Sequence, residues 1–322
     1  RTVRGPLETK HFYRLPDSKR RELRQSFGIP QDAFVGGFVF RNQLRKSAPQ
    51  LLIGFKQFQK ENPTINAKLV LFCNWFEGWD LPGLIKENGI NNNDILTAYI
   101  CKACGKYEVK LFAGNDLDCR FCHAQKSQTT TGPGLGITEE ELCQVYNLFD
   151  YYVHPFTSGG QEIPIQEAKL CELITLVTNY SCGEDNCVEE ACSLPLDWAS
   201  YFEPGTLFLK ATTYPSSICK QIKKVYDMPI AKRLDWGKKA RKWAIDNFSI
   251  EVIGKQYEDF IDAQPFSDYD WSSKPLVKNP NFVPPEVEDD GEWLKANYRG
   301  FFGREPDPGG FQYWLNELAK AS

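Results

Sequence analysis

The sequence predicts an α/β protein built on a doubly wound, mostly parallel sheet, with a four-cysteine insertion and a short helical tail. Three observations carry that expectation. Short apolar, β-rich runs alternate with amphipathic helical segments from about residue 26 to 262. Two CxxC pairs, Cys101/Cys104 and Cys119/Cys122, interrupt the alternation within residues 100–127. A stretch rich in Pro, Ser and acids and without periodicity, 263–290, reads as a linker that sets residues 291–322 apart.

Taken in order, "FVGGFVFR" (34–41) is a short apolar run with glycines, as a strand buried on both faces would be. The segment from Ala48 places Leu51, Phe55 and Phe58 at i, i+4 and i+7, one buried helix face. "AKLVLFC" (67–73) is the second strand, "LPGLIKENG" a helix closed by Gly89, and "DILTAYI" (94–100) the third strand. Thr138 caps a helix with three glutamates in its first turn, where the helix dipole favours acids, and Leu142, Val145, Tyr146 and Phe149 form its apolar stripe. "YYVHP", a helix from Pro164, and "LITLVTN" continue the alternation. "TLFLKA" (206–211) is expected to be a sixth strand, followed by helices over 215–227, 230–247 and 249–262. The tail "EWLKANYRGFFGREPDPGGFQYWLNELAKA" has the pattern of two helices around a Gly/Pro turn, too short for a stable domain alone.

Over 322 residues, 42% hydrophobic and 25% charged content are those of a globular protein. A net charge of −4 argues against coating nucleic acid or an anionic membrane through a global basic field. No apolar run reaches the roughly 18 residues of a membrane span, and no signal peptide is visible, so a cytoplasmic location is expected. The chain opens with Arg rather than Met, which suggests a fragment.

Cys101-x2-Cys104 and Cys119-x2-Cys122 have close to the spacing of a four-cysteine zinc ribbon. Each CxxC turn sets two thiolates on one side of a metal, and four thiolates leave no open position, so the zinc would be structural. His123, beside Cys122, is a spare ligand that four thiolates make unnecessary. The insertion holds five Lys/Arg against three acids, too little for nucleic-acid binding to be favoured. Its expected roles are acceptor recognition or protein contact. Cys182, Cys187 and Cys192 stand at equal five-residue steps and are expected to be free thiols. "GPGLG" (132–136) precedes a helix but is expected to have no strand leading directly into it, and three glutamates follow. Those would repel a pyrophosphate.

In an open α/β sheet, ligands bind beyond the carboxyl ends of the strands where the strand order reverses. With the first and fourth strands adjacent, two segments meet there, "RNQLRK" (41–46) and "PFTSGGQEIPIQE" (155–167). The first offers Arg41 and Lys46. The second offers Ser158, Gly159 and Gly160 ahead of a helix N-terminus, whose amides and dipole favour an anion. Arg and Lys opposite such a turn suit a diphosphate. Glu162 lies in the same loop, and Glu167, just inside the helix, could accept from sugar hydroxyls. His154 ends a buried strand, where a packed, hydrogen-bonded role competes with a catalytic one.

"RNQLRKSAPQLLIGF" and "PFTSGGQEIPIQEAKLCELITLVTN" resemble the donor-binding, Rossmann-like C-terminal half of retaining GT-B glycosyltransferases of the glycogen-synthase-like, group 1 type. The family pattern R-x4-K is matched by Arg41 and Lys46. Its E-x7-E places the second glutamate at Glu167, implied to hold the ribose or donor sugar, while the first position is Gly159. Residues 1–25 resemble the family's interdomain segment. The resemblance implies transfer of a sugar from a UDP, GDP or ADP donor, with Arg41, Lys46 and the amides of Ser158–Gly160 stabilising the leaving diphosphate. It also implies a partner acceptor domain N-terminal to this half and no catalytic metal. Asp116-Leu117-Asp118 spells the DxD metal motif of a different transferase fold but falls in the expected ribbon turn. The tail motif "GREPDPGGFQYW" resembles the opening of a repeated domain of unknown function in bacterial surface proteins, which suggests a bacterial or phage source. The alternative is an inactive transferase-like module that binds through its ribbon.

Overall fold

Buried strands need apolar residues on both faces, and the chain supplies them in the order expected. A computed structural model describes residues 4–132, 134–264 and 289–321, with Val283 and Glu286 between them. These residues form two compact units that divide between Ile261 and Asp262.

The first unit opens with α1 (Asp17–Ser26), β1 (Phe34–Val39), a 3₁₀ turn at Leu44–Lys46 and α2 (Ala48–Glu61). It continues through β2 (Ala67–Phe72), α3 (Leu81–Glu87), β3 (Ile95–Cys101), β4 (Tyr107–Leu111) and β5 (Gln128–Thr130). Then come α4 (Glu139–Tyr146), β6 (Tyr151–His154), α5 (Ile163–Leu170), β7 (Ile174–Thr178), α6 (Cys182–Asn186) and β8 (Ser193–Leu196). A hairpin of β9 (Trp198–Phe202) and β10 (Leu209–Thr213) precedes α7 (Pro215–Asp227), α8 (Ile230–Phe248) and α9 (Ile250–Asp262).

The main sheet runs β4-β3-β2-β1-β6-β7-β8, parallel from β3 to β8. All six residues of β1 are buried. Phe34 and Phe38 face Phe55, Phe58 and Ile222, on the side covered by α2 and α7. Val35 and Val39 face Tyr146, Ile165 and Phe248, on the side covered by α4, α5 and α8. Thr138 and Glu141 close the expected cap of α4 reciprocally, the hydroxyl accepting from the Glu141 amide and the carboxylate from the Thr138 amide.

Two expectations are corrected. Residues 206–211 are not the sixth strand of the sheet: Leu209–Thr213 pairs antiparallel with Trp198–Phe202 in a separate hairpin. The sixth parallel strand is β8, paired with β7. Pro195 lies within it, and a proline is tolerated there because an edge strand has no neighbour to receive its missing N–H. A strand also does lead towards "GPGLG": β5 ends at Thr130, but it runs antiparallel to β3 and so arrives with the wrong polarity for a strand-to-helix phosphate loop.

The second unit contains α10 (Asp290–Asn297), a single π turn at Tyr298–Phe302, and α11 (Pro308–Ala321). Asp289 caps α10 by accepting from the Glu292 amide at 2.8 Å, and Gly303 leaves the turn at φ 62°. The linker expected over 263–290 lies for the most part outside the described residues.

Candidate ligand crevice and metal centre

β1 and β6 are neighbours, and their carboxyl ends open the crevice at which the winding reverses. The loop leaving β1 is held by Asn42, whose amide donates to the Trp79 carbonyl (2.9 Å) and whose oxygen accepts from the Trp79 amide (3.2 Å). The Trp79 indole in turn donates to the Leu44 carbonyl at 3.1 Å. The Arg45 carbonyl accepts from the Thr157 amide (2.8 Å), tying this loop to the one leaving β6.

Glu162 sits where the two loops meet and is almost fully buried. It accepts from the buried Lys46 ammonium, from Arg45 Nη1 at 2.7 Å and from His154 Nε2 at 3.1 Å. Burial pushes the Glu162 carboxyl up, but the His154 hydrogen bond and the Lys46 charge prevail and hold it well below the usual carboxylate range. Burial lowers His154 to about 4, so the imidazole is neutral at pH 7. With Glu162 ionised, Nε2 carries the hydrogen and Nδ1 accepts from the Tyr152 hydroxyl at 2.7 Å. His154 is thus a packed, hydrogen-bonded histidine. Burial also lowers Lys46, against the pull of Glu162.

Gly159 borders this cluster. A Cβ built there would lie 2.5 Å from Glu162 Oε1, so the carboxylate occupies the space a side chain at 159 would need. The amides of Ser158, Gly159 and Gly160 donate no hydrogen bond among the described residues. The hairpin braces this loop: the Ala211 amide donates to the Thr157 carbonyl (2.9 Å), and Lys210 Nζ donates to Ser158 Oγ (2.7 Å). Sequence reasoning missed Lys210 because it placed residues 206–211 in the main sheet. Arg45 and Asn42 were also passed over, although both lie inside the quoted loop.

Arg41 is exposed and pairs with Glu77 at 3.1 Å. Glu167 receives the Tyr146 hydroxyl at 2.7 Å, and burial raises its carboxyl to about 7. The structure therefore brings Lys46, Ser158, Gly159 and Glu162 together, while Arg41 and Glu167 stand beside that cluster on partners of their own. Around the crevice, Arg41, Arg45, Lys46 and Lys210 face Glu77, Glu162 and Glu203, four cations to three carboxylates.

The four predicted ligand cysteines converge. Their Sγ atoms lie within 4.8 Å of one another, with Cys101–Cys122 at 3.7 Å and Cys104–Cys119 at 3.8 Å. A tetrahedron with Zn–S bonds of about 2.3 Å has edges of about 3.8 Å, so the sulfur set fits a zinc-sized ion. The turns are built for thiolates: the amides of Ala103 and Cys104 point to Cys101 Sγ (3.3 and 3.4 Å), and that of Phe121 to Cys119 Sγ (3.4 Å). After each pair, Gly105 (φ 71°) and His123 (φ 59°) take the left-handed conformation that turns the chain away. His123 is a turn residue outside the sulfur set. Asp116 pairs with Lys102 (3.4 Å) and Asp118 accepts from the Lys126 amide (2.9 Å), so the DxD residues hold the ribbon turn.

Among the described residues this is the one cluster able to hold a metal, and none of the eleven cysteines forms a disulfide. No helix among them is long and apolar enough to cross a membrane.

No protein-family model matches the sequence, and no curated protein does. Solved structures do. Anabaena HepE, in complexes with UDP and glucose and with UDP-glucose, superposes with a TM-score of 0.57 at 14% identity, over 82% of this chain and 57% of that one. The sucrose-phosphate synthase of Thermosynechococcus elongatus gives 0.55 at 16%, over 82% and 53%. WaaG, a glycosyltransferase involved in lipopolysaccharide biosynthesis, gives 0.54 at 15%, over 82% and 56%. At these identities the likeness is one of fold, the expected doubly wound, Rossmann-like arrangement. The chain spans little more than half the length of these proteins.

Proposed function

We propose that the chain is the donor-binding half of a retaining glycosyltransferase, taking a sugar from a nucleoside diphosphate of the UDP, GDP or ADP type. The observation that carries the reading is the meeting of a cationic loop, Arg41–Lys46, with the free amides of Ser158–Gly160 at the carboxyl ends of β1 and β6. Negative charge that develops on a departing diphosphate needs donors already in place, each worth roughly 2.7–4 kcal/mol in the transition state. Arg41, Arg45 and Lys210 have their charged ends at or near the surface of that crevice, and Lys46 lies beneath them. Glu162, whose Oε1 lies 2.5 Å from where a Cβ at Gly159 would stand, is the candidate for the carboxylate that the sequence lacks there. Glu167 is the candidate partner for ribose or sugar hydroxyls. An acceptor-binding domain would complete the cleft, so this half is expected to bind donor without turnover. The four thiolates would hold a structural Zn²⁺, which folds the ribbon and takes no part in transfer.

Titration calorimetry with UDP, GDP and ADP tests this. One nucleotide is expected to bind, and Lys210→Ala or Arg41→Ala to weaken it by roughly 1.5–3 kcal/mol, about 10- to 150-fold. Lys46→Ala is expected to weaken it at least as much, but it strands Glu162, so the Lys210 and Arg41 variants decide. A folded, metal-loaded chain that binds none of the three nucleotides refutes the reading.

A further inference from the structure

β3 is longer than its parallel partner. β2 pairs only with Ile95 and Leu96, and the lane beyond is filled by β5, whose Thr130, Thr129 and Gln128 pair with Tyr99, Ile100 and Cys101. The ribbon is therefore a continuation of β3, with β4 on one side and β5 on the other. Because β5 runs antiparallel, it descends from the metal cluster back towards the carboxyl end of β2. The Trp75 amide, just past β2, meets Thr130 Oγ1 at 3.4 Å, and the Thr130 amide donates to Asn115 Oδ1 at 3.1 Å.

The chain leaving β5 lines a cavity of about 270 Å³. Val39 and Phe72 from the ends of β1 and β2 form its base, Leu142 and Pro164 its helical side, and Thr131 and Gly136 its ribbon side. The volume is close to the lower end of small-molecule clefts, roughly 300 Å³. Arg41 lies at its rim and also belongs to the crevice described above. An anion held there would put the apolar end of its own molecule into the cavity.

One atom singles this wall out. Thr131 is 3% exposed, yet its Oγ1 has no hydrogen-bond partner. A buried hydroxyl without a partner is costly and calls for one that the protein does not supply. Asn74, on the same wall, spends its oxygen on the Phe76 amide (3.0 Å) and leaves its amide nitrogen against Gly132. The cavity thus combines apolar faces with an unsatisfied hydroxyl and an amide, as a flat heterocycle with polar edges requires.

We propose that the four-cysteine insertion is one wall of the ligand site: its metal clamps β5 so that Thr131, Gly132, Gly136 and Ile137 close the cavity over a nucleotide's heterocyclic base, and Thr131 reads that base. This rests on the donor-site reading above. Metal loading and nucleoside affinity are then coupled, while the diphosphate end, held by the loops after β1 and β6, is independent of the metal.

Calorimetry on the full metal-loaded chain compares UDP, GDP and ADP with ribose 5-diphosphate, the diphosphate control that carries the ribose but no base. The preferred nucleotide is expected to bind more tightly than ribose 5-diphosphate, and that advantage measures the cavity. Thr131→Val is expected to cut the advantage about 2- to 12-fold, the worth of one neutral hydrogen bond. At Gly136 an added Cβ meets nothing within 4 Å, so Gly136→Leu starts its side chain in open space on the wall and is expected to abolish the advantage. Chelation of the wild type, or the Cys119→Ser/Cys122→Ser double variant, is expected to abolish it too, with metal content followed by atomic absorption. Affinity for ribose 5-diphosphate should stay constant throughout. If chelation unfolds the whole chain by circular dichroism, the two metal-loaded substitutions decide the matter. An advantage that survives every change overturns this inference and leaves the donor reading intact. Failure of the wild type to bind any nucleotide overturns the donor reading itself.

Discussion

Glu162 accepts from three donors on two segments, and its ionisation ties the crevice to pH. A carboxyl held below its unfolded value contributes stability above roughly pH 4.3 and loses it as pH falls towards the folded value. Stability should therefore decline below about pH 4.3, and Glu162→Gln should flatten that decline while costing roughly 3–5 kcal/mol at neutral pH, because Lys46 is left buried without its counter-charge. Glu167 has the opposite sign. Its folded value near 7 favours the neutral form, so a penalty grows as pH rises from about 4.3 and is complete above 7. Glu167→Gln keeps the acceptor for Tyr146 and should gain on the order of 1 kcal/mol above pH 7, a figure discounted for partial exposure. Urea denaturation across pH checks both signs, and equal curves for wild type and either variant would refute the corresponding assignment. The sequence offered Lys46 and Glu162 separately as candidates, each credited with a ligand rather than with the other. Their pairing spans 116 positions and depends on strand order, which no local pattern encodes.

β1 carries two glycines in the middle of the sheet because aromatic rings press against it from both sides. A Cβ at Gly37 would come within 2.1 Å of the Phe149 ring, and one at Gly36 within 2.4 Å of Tyr151. Gly37→Ala is therefore expected to destabilise the fold by about 1–3 kcal/mol, the usual penalty of overpacking. Gly254, exposed within α9 with nothing within 4 Å, is the counter-case: Gly254→Ala should stabilise by up to about 1 kcal/mol. Denaturation midpoints moving in opposite directions would confirm that the strand glycines are there for space. Most elements were legible from their period, as in α2, or from period and capping together, as in α4. The hairpin was not. The apolar run around Leu207 and Phe208 reads as core, yet those side chains are 74% and 65% exposed, since apolarity alone does not say which surface a strand meets. β8 was hidden by Pro195, which weighs against a strand until its place at the edge is known.

The principal cores of the molecule lie on the two faces of one sheet, drawn from residues between Leu7 and Phe248. A chain ending at residue 264 should keep its fold and, on the proposed function, the same metal content and nucleotide affinity as the full chain, measured by circular dichroism, atomic absorption and calorimetry. Collapse of that shorter chain would show that the second unit supports the first. At this scale the sequence was informative: alternation predicted the winding, the winding set β1 beside β6, and cysteine spacing predicted the cluster of four sulfurs. The ends of the sheet have a consequence of their own. At β8, Pro195 has no N–H, its carbonyl accepts from Gln221 (3.0 Å), and the next amide, of Asp197, donates to Ser217 (2.9 Å). At β4, Glu108 is engaged by Lys110 and Arg120, both at 2.7 Å. Strand addition from a second molecule needs an open row of amides and carbonyls on a flat edge. Here helix α7 covers one edge of the main sheet and charged side chains flank the other, two devices that turn a neighbouring strand away from this sheet and leave the exposed β9–β10 hairpin as the edge open to one.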